Sequence, residues 1–239
     1  MEKLALRTLW TECFGNEDGW IDTYLETAFD PARVCALTRQ GCLAAALSWM
    51  ETSCDGRKLA YLYAVATAPD FRHQGLCREL MDLTHGKLAG QGYAGCVLVP
   101  ADPGLRKMYG TMGYVNFGGS REITARAGSP VPMRRLSCPE YALLRRKYLP
   151  DRGVVQEDGA IEYLAAGAEL YAGADFLTAV STDGCGVELL GNAGAAAGIL
   201  ATLGREEGRF RVPGTEPFAM YHPLNGEAWR PGYFGLAFA

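Results

Sequence analysis

The residues best suited to chemistry lie in one short stretch, Arg72–Cys77, between a predicted strand and a predicted helix. The apolar and aromatic run at Leu59–Ala66 indicates a buried strand, and Pro69 ends it because proline has no N–H for a strand ladder. After Gly75, apolar residues recur at helical spacing, at Leu76, Leu80, Leu83 and Leu88. The sequence therefore predicts a strand, a glycine-containing loop and a helix in direct succession.

A loop of this kind indicates a phosphate site. The first N–H groups of a helix have no partner inside the helix, and the helix dipole adds positive potential there. Gly75 lets the backbone approach a ligand closely, and Arg72 can add a charged hydrogen bond. Taken alone, these residues fit equally well an ordinary strand–turn–helix in which Gly75 is a packing residue.

The stretch resembles motif A of the GNAT family, the acetyl-CoA-dependent N-acetyltransferases. That family has a hydrophobic strand, then Val-x-Pro-x-x-Arg, then a Gln/Arg-x-x-Gly-x-Gly/Ala loop. Arg72 and Gly75 match this pattern, and Cys77 replaces the second small residue of the family. A second motif follows downstream, where a predicted strand (Gly95–Val99) and helix (Leu105–Met112) carry the Tyr109, Gly113 and Tyr114 of motif B. The resemblance covers residues 1 to about 125, roughly half of the chain.

The resemblance implies where acetyl-CoA binds. Backbone N–H groups of Val65 and Thr67 hold the pantetheine and polarise the thioester carbonyl, while the phosphates lie on the backbone of the loop. The implied cofactor-binding residues are Val65, Ala66, Thr67, Arg72, His73, Gln74, Gly75, Leu76 and Cys77.

The resemblance also implies a catalytic tyrosine. Tyr109 would protonate the departing thiolate, and a phenol pKa of about 10 is close enough to that of an alkyl thiol for the transfer. Many relatives use a glutamate on the central strands as the general base, and Glu51 is the candidate here. An exposed charge at the end of a strand is the alternative interpretation of Glu51, and the better one.

Composition limits the classes of function. The 239-residue chain carries a net charge of −4, so it offers neither a basic footprint for nucleic acid nor a polybasic membrane anchor. No apolar run is long enough to span a bilayer. The eight cysteines form no Cys-x-x-Cys pair and the chain has three histidines, so the sequence predicts no metal site. Scattered free thiols indicate a reducing, cytoplasmic location.

The order of predicted elements gives the fold class. Two helices, a strand meander and a strand–loop–helix predict an α/β (α+β) fold with the GNAT-type mixed central sheet flanked by helices, over residues 1–128. Residues 129–239 predict a second, smaller α/β domain. A weak repeat of the element order suggests a degenerate second GNAT copy, and Leu189–Gly194, at the place of the phosphate loop, has no basic residue. Only the first copy is then expected to bind CoA, unless the repeat is a coincidence between two α/β domains.

The residues and the family resemblance together lead to two alternative functions as expectations. The first is an acetyl-CoA-dependent N-acetyltransferase that transfers an acetyl group to a small-molecule amine by direct attack in a ternary complex. The second is a catalytically silent GNAT-like protein that binds acyl-CoA or a partner. The oligomeric state is left open, with a homodimer as the candidate assembly.

The last residues, 233–239, are apolar throughout and predict a buried strand. In some two-copy GNAT relatives the terminal carboxylate is the catalytic base, which the resemblance extends to Ala239. Gly/Ser residues added after Ala239 would move that carboxylate but leave a structural segment intact. A segment that only completes a sheet is the alternative interpretation, and the better one. In either case we expect the extended protein to stay folded, and only a catalytic carboxylate predicts loss of acetyltransferase activity, measured as CoA thiol release. A stable extended protein with full activity would exclude the catalytic role.

Overall fold

The computed structural model describes residues 3–16, 19–182 and 184–238. The chain forms two compact units, Met1–Val115 with Tyr221–Trp229, and Asn116–Met220 with Arg230–Ala239. Residues Ser120–Arg126 pair with Glu207–Pro213 of the second unit, and the expected domain boundary at residue 128 stays a prediction. No helix in the described ranges has the length and apolar character needed to cross a bilayer.

The first unit is a mixed sheet with helices. Its elements are α1 (Lys3–Phe14), α2 (Trp20–Thr27), β1 (Val34–Arg39), β2 (Cys42–Cys54), β3 (Arg57–Thr67), α3 (Leu76–Gly90), β4 (Gly95–Leu98) and α4 (Pro103–Gly110). β1, β2 and β3 form an antiparallel meander, and β4 pairs with β3 in parallel. α3 is the crossover that a parallel pair requires. These elements confirm the predicted mixed sheet with flanking helices in this unit.

Helical periodicity explains which faces are buried in the first unit. α1 buries Leu6, Leu9 and Trp10, which are spaced so that they share one face of the helix. α3 buries its own stripe, Leu76, Leu80, Met81, Thr84 and Leu88. This buried stripe packs α3 against β1, β2 and β3 of the sheet.

The second unit repeats this order of elements. It contains β5 (Val115–Arg126), β6 (Arg134–Arg135), α5 (Cys138–Tyr148), β7 (Val155–Gln156), α6 (Gly159–Gly167), β8 (Ala168–Ala172), β9 (Phe176–Ser181), β10 (Gly186–Gly191), α7 (Ala196–Thr202), β11 (Glu207–Pro213) and part of β12 (Glu216–Pro223). β8, β9 and β10 form an antiparallel meander, and β11 pairs with β10 in parallel. From α5 onward, and leaving out the two-residue strand β7, the order helix, helix, three strands, helix, strand occurs in both units. It supports the two-copy interpretation, which stays a prediction.

One predicted helix was too long. The residue pattern of Ile161–Tyr171 by itself predicts a helix over the whole range, whereas α6 ends at Gly167 and Ala168 starts β8. The burial of β8 alternates along the strand, as expected for one buried face. Small residues fit either structure, and pairing with β9 decides the outcome.

The prediction of a C-terminal strand was wrong, although the segment is buried. Tyr233, Phe234 and Leu236 are 2%, 0% and 0% exposed, yet Tyr233 makes only an isolated bridge in the described part of this segment. Side chains replace a strand partner for the backbone. Gln156 Nε2 donates to the Leu236 carbonyl at 2.9 Å, and Arg211 Nη1 donates to the Gly235 carbonyl at 3.3 Å. Ala239 lies outside the described residues, so the role of its carboxylate stays a prediction.

A buried ion pair lies at the centre of the second unit. Arg145 and Glu188 are 1% and 0% exposed, and two hydrogen bonds of 2.6 and 2.9 Å join the guanidinium to the carboxylate. Tyr233 donates to Glu188 Oε1 at 3.0 Å, and Arg145 Nη1 donates to the Val154 carbonyl at 3.1 Å. The pair therefore connects α5, β10 and the C-terminal segment.

Glu188→Ala should strongly destabilise the protein, because it leaves the Arg145 guanidinium buried without its counter-charge. We expect the free energy of unfolding to fall by about 3–5 kcal/mol in urea denaturation. Glu157→Ala is the matched control, since it removes the carboxylate partner of the exposed Arg146 on the same helix and should cost at most about 1 kcal/mol. Equal losses in the two variants would contradict a structural role for the buried pair.

Candidate functional site

β3 carries a bulge close to its C-terminal end. Its register with β2 shifts from Ala46↔Ala66 to Ser48↔Tyr63, so that Ala64 and Val65 together oppose Leu47. Ala64 has a φ of 51°, in the left-handed region that residues with a side chain rarely adopt. Trp10 Nε1 donates a hydrogen bond of 2.9 Å to the Ala64 carbonyl. The indole of α1 therefore holds the bulge in place.

The other edge of β3 opens next to the bulge. β4 pairs with β3 only from Leu59 to Tyr61, and in the described residues no strand continues the ladder beyond Tyr61 on that edge. The backbone N–H of Ala68 donates to the Ala44 carbonyl at 2.9 Å, so it points toward β2. Successive N–H groups along a strand point alternately to its two edges. By this alternation the N–H groups of Val65 and Thr67 point to the open edge, whereas that of Ala66 points to β2. Two of the three strand residues expected to bind the cofactor are thus brought to the gap, and Ala66 offers no N–H there.

The loop after β3 has the shape of an anion cradle. A short 3₁₀ turn at Pro69–Phe71 leads into it, and His73 and Gly75 have φ of 61° and 80°. A Cβ added at Gly75 would meet no atom within 4 Å, so the space in front of the helix is open. α3 begins at Leu76 without a side-chain cap. Its first N–H groups are therefore available to a phosphate. An anion such as the pyrophosphate of CoA fits a loop of this kind.

Side chains of the loop stiffen it from within. Arg72 Nε donates to the Thr67 carbonyl at 3.1 Å, and Cys13 Sγ donates to the same oxygen at 3.3 Å. Gln74 Nε2 donates to the Asp70 carbonyl at 3.1 Å. Both Arg72 and His73 are exposed at the rim, where a cation favours an anionic ligand. Sequence reasoning missed Cys13, which belongs to no motif.

Tyr109 lies on α4, and the start of this helix is well defined. Asp102 Oδ1 accepts a hydrogen bond of 2.8 Å from Leu105 N, and Pro103 occupies the first turn. Tyr109 is 6% exposed, and burial, followed by the nearby Cys77, raises its pKa well above the ordinary value of 10. Burial likewise raises the pKa of the Cys77 thiol. Tyr109 therefore keeps its proton at neutral pH, and it can protonate a thiolate that is desolvated to a similar degree.

A polar cluster that the sequence did not reveal supports Tyr109. The Tyr109 and Tyr114 ring centroids are 5.7 Å apart, and a hydrogen bond of 2.8 Å joins Tyr114 Oη to His85 Nε2. The His85 ring stacks on His222 at 4.3 Å. Burial and the neighbouring His222 lower the pKa of His85 to about 4, so it is neutral at pH 7. No sequence pattern signals this cluster, because His222 is far from the other residues along the chain.

Glu51 lies away from the bulge. On β2 it pairs with Ala60, four residues or about 13 Å along the strand from Leu47. Its carboxylate contacts Lys58 Nζ at 2.9 Å and accepts a hydrogen bond of 3.1 Å from Tyr93. Partial burial alone would raise the pKa of Glu51, but these partners hold it below the ordinary value of 4.5. The geometry favours the exposed, ion-paired charge, and the general-base assignment stays a prediction.

At the corresponding place in the second unit a short 3₁₀ turn, Ala193–Ala195, leads into α7, and a side chain caps the start of this turn. Asn192 Oδ1 accepts a hydrogen bond of 2.9 Å from Gly194 N, so a side chain occupies the N–H that a phosphate would need. Asn192 Nδ2 donates to the Asp175 carboxylate at 2.8 Å, which places a negative charge beside it. A Cβ at Gly191 would lie 2.4 Å from the Asp175 carbonyl oxygen and 2.9 Å from the Tyr148 ring. Within the described residues, the loop between the third meander strand and the next helix is open in the first unit and closed in the second.

Comparisons with known proteins identify acetyltransferases as the proteins that this chain is similar to. Residues 2–116 match the family model of the acetyltransferase (GNAT) domain. A GCN5-related N-acetyltransferase from Anabaena variabilis has a TM-score of 0.71 at 14% identity, covering 94% of this chain and 71% of that chain. The enzyme of the same description from Kribbella flavida has 0.68 at 18%, covering 94% and 71%. Eis1 from Mycobacterium abscessus has 0.68 at 13%, covering 95% and 72%. At these identities the likeness to solved structures shows the fold, and a search of curated proteins gave no significant match.

Gly75→Glu should abolish acetyl-CoA binding, because a side chain and a negative charge would enter the open space of the loop. Acetyl-CoA at one hundred times its Kd should stabilise the wild-type protein by about 2.7 kcal/mol and should not stabilise the variant. Gly86→Glu is the matched control, since it adds the same charge at an exposed position of α3 with open space around it. Calorimetry that finds equal CoA binding by wild type and Gly75→Glu would rule out the phosphate loop.

Proposed function

We propose that this protein is an acetyl-CoA-dependent N-acetyltransferase acting on a small-molecule amine, since residues 2–116 match the family model of the acetyltransferase (GNAT) domain. One observation carries the proposal. The bulge at Ala64, the open edge at Val65 and Thr67, and the uncapped start of α3 follow one another within a dozen residues. A thioester and a pyrophosphate on one ligand need these two kinds of site in this order.

The bound acetyl-CoA supplies an activated acetyl group. The N–H groups of the Arg72–Cys77 loop and of the first turn of α3 bind the phosphates, and Arg72 adds positive charge. Cys77 contributes a small neutral side chain at the second helix position, so it does not compete with the anion. The N–H groups of Val65 and Thr67 orient the pantetheine and the thioester.

The transfer then needs few protein groups. The amine nitrogen attacks the carbonyl carbon, a C–N bond forms and the C–S bond breaks. The N–H of Val65 stabilises the negative charge that develops on the carbonyl oxygen. Tyr109 gives its proton to the departing sulfur and recovers a proton from water. The surplus proton of the amine leaves to water or to a base, for which Glu51 and the Ala239 carboxylate are the candidates.

The second unit is proposed not to bind CoA. Asn192 occupies the N–H at the corresponding place, and Asp175 would repel a phosphate. We therefore expect one acetyl-CoA per chain.

A catalytically silent acyl-CoA-binding protein is the second candidate. The ion-paired state of Glu51 favours it, because Glu51 is the only carboxylate on β2 and β3, both of which are fully described, and Lys58 and Arg33 hold it. The two candidates differ in turnover. An acyl-CoA thermal-shift screen, followed by a thiol-release assay against an amine library, separates them, since the silent protein gives a shift and no thiol.

Tyr109→Phe should lower kcat by about 100-fold or more, because it keeps the buried ring and removes the proton. The Kd for acetyl-CoA should hardly change. Tyr171→Phe is the control, since it removes a phenol that donates to Glu169 in the second unit. Unchanged kcat for Tyr109→Phe at saturating substrate would make Tyr109 a packing residue.

A further inference from the structure

Helix α1 donates two hydrogen bonds to the end of β3. Trp10 Nε1 donates to the Ala64 carbonyl at 2.9 Å, and Cys13 Sγ donates to the Thr67 carbonyl at 3.3 Å. The two donors are three residues apart and therefore share one face of the helix, and the two acceptors are also three residues apart. We call these two hydrogen bonds the α1 clamp.

The α1 clamp depends on the bulge in β3. In a regular strand, carbonyls three residues apart point to opposite edges, so a helix on one side would meet only one of them. The bulge at Ala64 and Val65 adds one residue and resets this alternation. The α1 clamp therefore holds both ends of the short segment whose N–H groups, those of Val65 and Thr67, face the open edge.

The Thr67 carbonyl also connects the α1 clamp to the phosphate loop. Arg72 Nε donates to this oxygen at 3.1 Å, so that two donors match its two lone pairs. A strand residue presents its N–H and its carbonyl to the same edge, which places this oxygen beside the Thr67 N–H. Helix α1, the end of β3 and the loop are thus joined at one atom, next to the proposed thioester site.

Cys13 keeps the proton that it donates in this arrangement. Burial raises the pKa of its thiol, and this effect exceeds the lowering caused by the nearby Arg72. The side chain is half-buried near the end of α1. An apolar group of the same size would leave the Thr67 carbonyl with Arg72 as its remaining donor. Cys13 therefore contributes a hydrogen bond in addition to packing.

We propose that Cys13 is a positioning residue of the acetyl-CoA site. Its hydrogen bond fixes the Thr67 carbonyl, and with it the direction in which the Thr67 N–H meets the pantetheine arm. Cys13 acts through Thr67 and touches no reacting atom. The inference rests on the proposed acetyl transfer and adds to that site a residue of α1, which lies outside both sequence motifs.

Calorimetry with acetyl-CoA and with ADP tests the proposal, since ADP carries a pyrophosphate but no pantetheine arm. Cys13→Ala should raise the Kd for acetyl-CoA about fivefold, the scale of one lost hydrogen bond, and should change the Kd for ADP less than about twofold. Cys13→Ser keeps a donor and should restore most of the affinity. Cys42→Ala is the matched control, because it removes an exposed thiol at the start of β2.

Three results would overturn the proposal: an unchanged Kd for acetyl-CoA in Cys13→Ala, equal losses of affinity for acetyl-CoA and ADP, or no rescue by Cys13→Ser. If Cys13→Ala fails to fold by circular dichroism, Cys13→Val carries the same comparison, since it replaces the thiol by an apolar group of similar size.

A wild-type protein that binds no acetyl-CoA would contradict the proposed function instead, and amide hydrogen exchange then tests the α1 clamp separately. The Ala68 N–H, which is bonded to the Ala44 carbonyl, directly follows the clamped Thr67. Cys13→Ala should speed its exchange about fivefold, because the end of β3 opens more often without the thiol. An unchanged exchange rate overturns the positioning role.

Discussion

The hydrogen bond from Trp10 Nε1 to the Ala64 carbonyl is the interaction on which the candidate site depends. A left-handed alanine costs of the order of 1–3 kcal/mol, and it persists only where the surroundings over-determine it. Here a fully buried indole supplies the donor. The bulge resets the alternation of β3, so that the N–H groups of Val65 and Thr67 reach the open edge. A regular strand that continued to pair with β4 would bury those groups in the ladder.

Burial keeps the reactive groups around this edge neutral. The phenol of Tyr109 and the thiol of Cys77 hold their protons because desolvation raises both pKa values. Desolvation acts in the opposite direction on His85, whose pKa of about 4 leaves an uncharged ring beside Tyr114. The candidate site therefore offers proton donors and backbone dipoles, and its positive charge comes from Arg72 in the exposed loop. This division suits a reaction in which negative charge develops on oxygen and then on sulfur.

The two units show how one order of elements can have different uses. Both have a meander, a crossover helix and a parallel strand. In the first unit the start of the helix is uncapped and the space before Gly75 is open. In the second, Asn192 caps the 3₁₀ turn Ala193–Ala195 that leads into α7. The second unit instead centres on the buried Arg145–Glu188 pair. Local hydrogen bonding, rather than topology, thus distinguishes the candidate ligand loop of the first unit from its counterpart in the second.

The sequence by itself determined the strand, loop and helix around Gly75, the meander before it and the position of Tyr109, because periodicity, proline and glycine act over a few residues. It could not place Trp10 against Ala64, since that contact joins residues far apart in the chain. It also missed the His85–His222 stack, and it predicted a helix at Ala168 and a strand at the C-terminal segment where the structure differs. Tertiary structure decided these points, because long-range hydrogen bonds and burial outweigh the small local preferences of such segments.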